Sequence, residues 1–340
     1  MHRSELTIDL GALRRNVRTL LRALDGAELW VVVKADGYGH GAVDVSRAAL
    51  DAGASALCVA TAAEALELRR EFPGTRILCM APLQSSELAL ARDARVEVAV
   101  PGDGIPEGVR VHLKLDTGMG RFGMSELVTP TRDVVGLMSH LATADSDAAF
   151  ARGQVARFAE LVEPYRGSFD CHIANSAAAL RLPEARFDAA RCGVAVYGLS
   201  PFMEDPAMDE LEPVLRWQSH LAQVKLLQAG ESTGYGRRFV ADLPTWIGLV
   251  PVGYADGFRR DLTGTEVRVD GQARRVVGTI SMDSFAVELD RELSVGTPVT
   301  LLGDGVLAET HAKIAGTINY ELVTGISSDP RRAQRRVVGA

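Results

Sequence analysis

Short apolar runs alternate with amphipathic segments over much of this 340-residue chain. The amphipathic segments carry apolar residues at helical spacing, beginning with LGALRRNVRTLLRAL. The apolar runs are rich in branched residues and have the length of buried strands. There are eight of them: WVVVKA, ALCVAT, RILCMAP, VEVAV, VRVHLKLD, VVGLMSH, FDCHIAN and RCGVAVYGL. Strands that alternate with helices over roughly 200 residues predict an α/β fold, a TIM-type (β/α)8 barrel.

The alternation of strands and helices is incomplete at two connections. Helical segments such as AVDVSRAALDAGA, AAEALELRREF, SELALARDA and AAFARGQVARFAELVEPY separate several runs, but only PGDGIPEG lies between the fourth and fifth runs. The next connection, over residues 117–133, is also short for one that carries a helix, so at least one outer helix is expected to be missing or reduced. A doubly wound open sheet is the alternative fold, although KADGYGHG does not match the GxGxxG sequence that should follow its first strand.

The pattern changes near residue 210. The segment SPFMEDPAMDELEP resembles a linker, and the chain beyond it consists of strand-like runs separated by glycine turns, with helical character only around HAKIAGTINYELVTGI. We therefore predict a barrel domain over residues 1–210 and a second, mostly β C-terminal domain over residues 211–340.

Composition narrows the choice of partners. A net charge of -7 argues against nucleic acid and against anionic membrane, because both require a basic face. No run approaches the roughly 20 apolar residues of a membrane helix, and MHRSELTIDL lacks the apolar core of a signal peptide, so a cytoplasmic protein is expected. The cysteines occur singly, without metal-type spacing, and are expected to be reduced, buried thiols: Cys58, Cys79, Cys171 and Cys192.

Polar residues interrupt the predicted strands near their carboxyl ends, where the loops of a barrel converge. Each has an ordinary structural explanation, such as a solvated charge, an ion pair or a helix cap. Their shared location favours a site instead. A lysine, a phosphate cradle in the last two loops and an arginine facing a ring nitrogen together suggest pyridoxal 5'-phosphate. The residues are Lys34, Arg121, His140, Asn175, Ser176, Arg191 and Gly193.

The segment VVVKADGYGHG closely resembles the cofactor signature of the alanine racemase family. The resemblance extends, in family order, through HLKLDTGMGRFG, SHLATAD, HIANSAAAL, ARCGVAVYGL, GYG, PVGYADG, SMDSF and TINYE. It implies a homodimer with shared active sites that interconverts L- and D-alanine on pyridoxal 5'-phosphate. Such an activity would supply D-alanine for peptidoglycan if the source is bacterial.

The resemblance also implies two catalytic bases. Lys34 resembles the Schiff-base lysine, which also acts on one face of the substrate, and Tyr235 of the second subunit resembles the base for the other face. In the family this tyrosine is tied to a histidine, matched by His140, which bonds to the arginine matched by Arg191. That arginine faces the pyridine nitrogen and cannot keep it protonated, which should favour racemisation over transamination.

The remaining implied roles concern the cofactor phosphate, the substrate and the entrance. Arg121 and Met282 match contacts to the substrate carboxylate, and Lys114 matches a lysine that is often carbamylated. Tyr254 matches a tyrosine that narrows the entrance alongside Tyr320. The matches to phosphate contacts are Tyr38, Ser176, Gly193, Val194 and Tyr320.

Two departures from the family pattern concern substrate access. Thr279 stands where family members commonly carry an arginine, and Ser281 where they often carry a cysteine. A racemase of serine or another amino acid is therefore an alternative function, because one extra methylene changes discrimination by only about 1 to 3 kcal/mol. A non-catalytic cofactor carrier with the same barrel is a second alternative, but it would have no need for Tyr235.

Overall fold

The computed structural model describes residues 2–102 and 104–339, which form two compact units. The barrel unit comprises Ala12–Phe202 and Pro206–Glu212. The β unit comprises the described residues up to Gly11, then Met203–Asp205, and the described residues from Pro213 onward. The change of pattern near residue 210 thus lies close to the end of the barrel unit.

A closed ring of parallel strands forms the centre of the barrel unit. Over the described residues, its strands are β2 (Glu28–Val32), β3 (Ala56–Val59), β4 (Arg76–Cys79), β5 (Glu97–Val100), β6 (Val111–Lys114), β7 (Val134–Met138), β8 (Asp170–His172) and β9 (Ala189–Cys192). They are ordered β8-β7-β6-β5-β4-β3-β2-β9. The N–H of Arg191 donates to the carbonyl of Ala174 at 2.9 Å and closes the ring beside β8. The predicted barrel is confirmed.

Over the described residues, one helix precedes the first barrel strand and the others follow five of the eight strands. They are α1 (Leu10–Leu24), α2 (Lys34–Tyr38), α3 (Ala42–Asp51), α4 (Ala62–Glu71), α5 (Ser85–Asp93), α6 (Ala148–Val162) and α7 (Ser176–Arg181), of which α2 is a single turn with left-handed backbone angles. The predicted helical segments all coincide with helices of this set. No helix occurs in the described residues between β5 and β6 or between β6 and β7, so the expected loss of outer helices is also confirmed.

The last barrel strand is shorter than the sequence pattern suggests. The run RCGVAVYGL is apolar throughout, but β9 ends at Cys192 and Val194–Tyr197 forms a 3₁₀ turn. The N–H of Gly193 donates to Ser176 Oγ at 3.1 Å rather than to a neighbouring strand, and the N–H of Val196 donates to the Gly193 carbonyl at 2.8 Å. These bonds end the ladder and turn the chain toward Ser176.

A nine-stranded sheet dominates the described part of the β unit. The strands of the unit, including the two that lie outside this sheet, are β1 (Glu5–Asp9), β10 (Leu215–His220), β11 (Gln223–Leu227), β12 (Ser232–Thr233), β13 (Phe239–Val240), β14 (Thr245–Val250), β15 (Glu266–Val269), β16 (Gln272–Val277), β17 (Phe285–Leu289), β18 (Pro298–Leu302) and β19 (Gln334–Val338). The sheet order is β11-β14-β17-β16-β15-β18-β10-β1-β19, while β12 and β13 pair separately. Two helices, α8 (Ala308–Ala315) and α9 (Asn319–Thr324), confirm the predicted helical segment.

The N-terminal segment corrects the predicted domain assignment. Residues 1–210 were assigned to the barrel, but the described residues up to Gly11 belong to the β unit. The reason is strand pairing, because β1 is antiparallel to β10 and parallel to β19. Both partners are distant in sequence, so the local pattern of residues 5–9 does not reveal them.

The cysteines lie in the strands of the barrel, as predicted. Cys58, Cys79, Cys171 and Cys192 are all buried and unpaired by disulfides. Burial raises the pKa of the Cys58 and Cys192 thiols to about 12. In the part of the chain that the structure describes, no helix is long and apolar enough to cross a membrane.

Candidate functional site

Lys34 lies two residues beyond β2, at the start of an unusual turn. Ala35, Asp36 and Tyr38 all have positive φ angles, between 51° and 54°, which non-glycine residues rarely adopt because Cβ approaches the following carbonyl. The turn is held from outside itself: the N–H of Ala35 donates to Glu64 Oε1 at 2.7 Å, and Asp36 Oδ1 accepts from Ala42 N at 2.8 Å. The position of Lys34 is therefore fixed by its surroundings.

The charges around Lys34 favour its neutral amine. Burial and the neighbouring Arg121 guanidinium lower the pKa of Lys34, while Glu64 acts in the opposite direction. The pKa of Lys114, the last residue of β6, is also lowered. Burial, Arg121 and Arg191 bring it to about 8. Two lysines and two arginines thus share one electropositive region.

Arg121 lies in a loop whose backbone N–H groups donate hydrogen bonds to the Asp116 side chain. Asp116 Oδ1 accepts the N–H groups of Gly118, Met119 and Gly120 at 2.9, 2.8 and 3.2 Å. A Cβ on Gly123 would lie 2.7 Å from the Asp116 nitrogen, so the loop closes only around a glycine. The predicted substrate contact is therefore presented from a compact loop rather than from a helix.

The predicted phosphate contacts of the barrel unit come together between β9 and α7. Ser176 Oγ accepts from the N–H of Gly193 at 3.1 Å and from that of Ala195 at 3.4 Å. Asn175 is the N-cap of α7, and its side chain accepts from Ala178 N at 3.0 Å. Val194, which follows Gly193 in the turn, is buried.

Tyr38 faces Gly193 across this cradle. A Cβ on Gly193 would lie 2.6 Å from the Tyr38 hydroxyl oxygen, so only glycine leaves room for the phenol. Tyr38 also packs against Tyr197, whose hydroxyl donates to the Val32 carbonyl at 2.8 Å. The Tyr38 hydroxyl, the Ser176 hydroxyl and the Gly193 N–H therefore lie close together.

Arg191 is 3% exposed and points its guanidinium along the ends of neighbouring strands. Its Nη2 donates to the carbonyl of Ser139 at 2.6 Å and lies 3.4 Å from His140 Nδ1. Its Nη1 donates to the carbonyl of His172 at 3.0 Å and also contacts His172 Nδ1. Burial and the Arg191 charge lower the pKa of His140 to about 3, so this imidazole is neutral.

His172 is the residue that sequence reasoning missed. His140 was expected to be the histidine partner of Arg191, but His172 makes the closer contact. His172 lies in the quoted motif HIANSAAAL and ends β8, the strand beside Arg191 in the closed barrel. The sequence did contain a signal for this contact, because His172 and Arg191 lie in the last two predicted barrel strands.

The second predicted base lies in the β unit. Tyr235 is 73% exposed, and its carbonyl accepts a hydrogen bond from Thr279 Oγ1 at 2.8 Å. Met282 and Tyr254 are also exposed, and their segments are joined, because Tyr254 N donates to the Ser281 carbonyl at 3.1 Å and Ala255 N donates to the Met282 carbonyl at 3.0 Å. A Cβ on Gly253 would lie within 2.4 Å of the Met282 carbonyl oxygen, so this approach requires glycine.

A pocket of about 550 Å³ in the β unit is lined by Tyr254, predicted to narrow the entrance, and by Thr279, one of the two departures that concern substrate access. Three arginines complete much of its wall: Arg238, Arg259 and Arg260. Tyr320, predicted to contact the phosphate, is a half-buried residue of α9 in the same unit. Among the described residues, no cluster of three or more His, Cys, Asp or Glu side chains could hold a metal ion.

Comparisons with known proteins agree on one family. The model of the alanine racemase N-terminal domain matches residues 8–201, and that of the C-terminal domain matches residues 214–335. Alanine racemase 1 of Bacillus subtilis is 40% identical over 94% of this chain and 90% of its own length. The alanine racemase of Streptomyces coelicolor is 41% identical, with 96% and 94% covered.

Solved structures give the same result. The crystal structure of alanine racemase from D-cycloserine-producing Streptomyces lavendulae has a TM-score of 0.91 at 37% identity and covers 100% of this chain and 98% of that chain. The Bacillus anthracis alanine racemase with bound L-Ala-P has a TM-score of 0.87 at 32% identity, with 100% and 96% covered.

Proposed function

Because the chain belongs to the alanine racemase family, we propose that it interconverts L- and D-alanine with pyridoxal 5'-phosphate as its cofactor. The observation that carries the proposal is the meeting of Lys34, Lys114 and Arg121 with Arg191 at the carboxyl ends of the barrel strands. An amine with a lowered pKa is suited to bond a carbonyl carbon and to accept a proton, and the arginines are suited to anionic groups.

The residues of the barrel fit this cofactor. Gly193 leaves the space that a Cβ would fill beside Tyr38, and the hydroxyls of Tyr38 and Ser176 with the backbone N–H groups nearby suit a phosphate. Arg191 can only donate hydrogen bonds, which suits an unprotonated pyridine nitrogen. When bound, the cofactor supplies an electron-accepting ring that makes the substrate's α-proton acidic.

The resemblance to the alanine racemase family assigns each cofactor contact to a residue. Lys34 would bond it covalently, and Arg191 would face its ring nitrogen. His140 would lie behind this arginine. The phosphate would be held by Tyr38, Ser176, Gly193, Val194 and Tyr320, with Asn175 capping the helix beside it.

Two proton-transfer groups on opposite faces of one carbon would invert it. Lys34 Nζ takes or returns the proton on one face, and its lowered pKa favours the neutral amine that can take it. The partner subunit's Tyr235 serves the other face in a homodimer. The exposure of Tyr235 in a single chain is consistent with this role, because its phenol is available to a second copy.

Orientation of the substrate is assigned to charged groups and to one backbone contact. Arg121, together with the partner subunit's Met282 backbone, would bind the carboxylate. Lys114 would orient Arg121 when it is carbamylated, since two adjacent cations otherwise repel each other. Tyr254 and Tyr320 would narrow the entrance.

The test is incubation of the purified protein and cofactor with L-alanine, D-alanine or L-serine in deuterated water. We expect inversion of alanine with deuterium at the α carbon, and little inversion of serine. Lys34→Ala is the control and should lose both activity and the visible absorbance of the bound cofactor. Tyr235→Phe should exchange the α-proton of only one enantiomer. Preferred inversion of serine, or full activity of Lys34→Ala, would contradict the proposal.

A further inference from the structure

Arg191 is a buried cation without a carboxylate partner. In the part of the chain that the structure describes, it forms no ion pair, and its other contacts are two backbone carbonyls and two imidazole nitrogens. Burial lowers its pKa to about 10. A buried guanidinium is ordinarily balanced by an anion, because an unpaired charge in a low-dielectric interior is costly.

A chain of hydrogen bonds connects Arg191 to a distant carboxylate through the barrel interior. His172 Nε2 lies 2.8 Å from His112 Nδ1, and His112 Nε2 lies 2.8 Å from Glu97 Oε2. Both histidines are fully buried, and Glu97 is 4% exposed. These hydrogen bonds span five neighbouring strands, because Glu97 is on β5, His112 on β6, His172 on β8 and Arg191 on β9, with β7 between the two histidines.

The strand between those of the two histidines leaves room for their hydrogen bond, because it has a glycine at this point. Gly136 lies on β7, and a Cβ there would be 2.1 Å from His112 Nδ1, which no side chain allows. Trp30 contacts both imidazoles, with ring centroids 4.5 Å from His172 and 5.7 Å from His112. The rings are therefore held in one arrangement.

The two ends of the chain dictate its proton positions. Arg191 only donates, so His172 Nδ1 must accept and a neutral His172 carries its proton on Nε2. That proton is donated to His112 Nδ1, which leaves the His112 proton on Nε2, facing Glu97. Burial opposes ionisation of Glu97, but the bond from His112 and the charge of Arg76 outweigh it and lower its pKa to about 2. An ionised carboxylate only accepts, so both ends demand the same direction.

We infer that Glu97 acts through His112 and His172 to position Arg191: as an acceptor at the far end of the hydrogen bonds, it fixes both imidazoles in the Nε2-protonated form, so that His172 Nδ1 accepts from the guanidinium and holds it in place. Glu97, His112 and His172 are positioning residues in this view, since none touches substrate. Their importance for catalysis rests on the proposed role of Arg191 beside the cofactor.

Histidine-selective ¹⁵N NMR of the purified protein tests the direction of the chain. We expect His112 and His172 to show the neutral Nε2-protonated pattern throughout neutral pH. His311 is an internal reference, because its Nε2 faces the Leu301 carbonyl at 2.9 Å and its Nδ1 faces the Thr265 hydroxyl at 2.8 Å. A proton on Nδ1 of either chain histidine would overturn the inference.

Glu97→Gln tests the charge, because an amide oxygen can still accept from His112. The expected result is a downfield shift of His172 Nδ1, as its bond from Arg191 weakens, and a loss in kcat on the order of tenfold with an unchanged KM for alanine. Arg110→Gln is the matched control: Arg110 pairs with Glu97 Oε1 at 2.9 Å but touches neither histidine. A folded Glu97→Gln protein with an unshifted His172, or an equal shift in Arg110→Gln, would refute the role of Glu97.

Gly136→Ala supplies an independent variant in case Glu97→Gln does not fold. Its methyl group should break the His112–His172 bond and change both resonances. Gly153→Ala on α6 is its control, because a Cβ there meets no atom within 4 Å. Unchanged histidine resonances in folded Gly136→Ala would contradict the inference. These spectra test the hydrogen bonds from Glu97 to Arg191 even if the protein fails to racemise alanine. The two proposals can therefore fail separately.

Discussion

Thr279 fixes the backbone of the proposed second base. Its hydroxyl donates to the Tyr235 carbonyl. A Cβ on Gly234, the residue before Tyr235, would lie 3.0 Å from the Thr279 nitrogen. The family resemblance places an arginine at this position in many members, but here a small hydroxyl occupies it. The departure therefore exchanges a long cationic side chain for a short neutral hydrogen bond to the loop of Tyr235.

We predict that Thr279→Val lowers kcat while Thr279→Ser does not. Valine has the same shape but no donor, and a lost neutral hydrogen bond costs about 1 kcal/mol, or roughly a fivefold lower rate if it is felt in the transition state. Steady-state kinetics with both enantiomers is the measurement. Equal rates for the two variants would show that the bond has no part in placing Tyr235.

Lys114 should become reactive toward carbon dioxide as pH rises. Its folded-state pKa is about 8, below the ordinary lysine value, so the neutral and nucleophilic amine becomes the major form above about pH 8 rather than above pH 10. With ¹³C-labelled bicarbonate, a carbamate resonance should grow between pH 7 and about 9. Lys114→Ala is expected to lack this resonance, and its persistence in that variant would assign it to another amine.

The start of α4 and the turn after β2 depend on one carboxylate. Glu64 accepts from Ala60 N and Thr61 N at 2.9 and 3.0 Å, as part of a capping box with Thr61, and its other oxygen accepts from Ala35 N. A helix end is thereby joined to the left-handed turn that follows Lys34. The same carboxylate also opposes the fall in the pKa of Lys34.

We expect Thr61→Ala and Glu64→Ala to have different effects. Thr61→Ala removes only the N-cap hydroxyl and should lower the free energy of unfolding by about 1 kcal/mol without changing kcat. Glu64→Ala removes the acceptor of three N–H groups and should cost about 2 to 3 kcal/mol and also lower kcat. Urea unfolding and kinetics measure both effects. A Glu64→Ala enzyme with normal kcat would separate the turn from catalysis.

Elements that depend on local pattern could be predicted from the sequence, and those set by distant contacts could not. The eight buried runs and α1 follow from apolar periodicity alone. The left-handed turn at Ala35 and Asp36 could not be predicted, because Glu64 and Ala42 hold it from outside. The early end of β9 has a similar cause, since Ser176 takes the N–H that would have continued the strand.

At the scale of the whole molecule, the sequence does not reveal which strands lie side by side or in which register they pair. Parallel pairing sets Met138 beside both Lys114 and His172, an arrangement that no single segment encodes. The sequence therefore identified residues at strand ends, such as Lys34, but not the interior chain from Glu97 to His172. The pairing of β1 with β19 was missed for the same reason.

A shared active site can be tested by complementation between two inactive variants. In the proposed homodimer each site would take Lys34 from one subunit and Tyr235 from its partner. A Lys34→Ala/Tyr235→Phe heterodimer would therefore have one doubly substituted site and one wild-type site. Co-expression with two different affinity tags should yield a heterodimer with about half the wild-type activity, as two-fold symmetry requires. A heterodimer as inactive as its parents, or no protein retained by both tags, would contradict the shared site.

All four sulfhydryl groups of the chain lie in the barrel strands, so thiol chemistry reports on one unit alone. Burial raises the pKa of Cys79 to about 11 and that of Cys171 to about 12, and the folded protein should therefore resist alkylation. Labelling rates would then record how often the barrel opens. The sheet of the β unit would remain invisible to the reagent, even if it unfolded first.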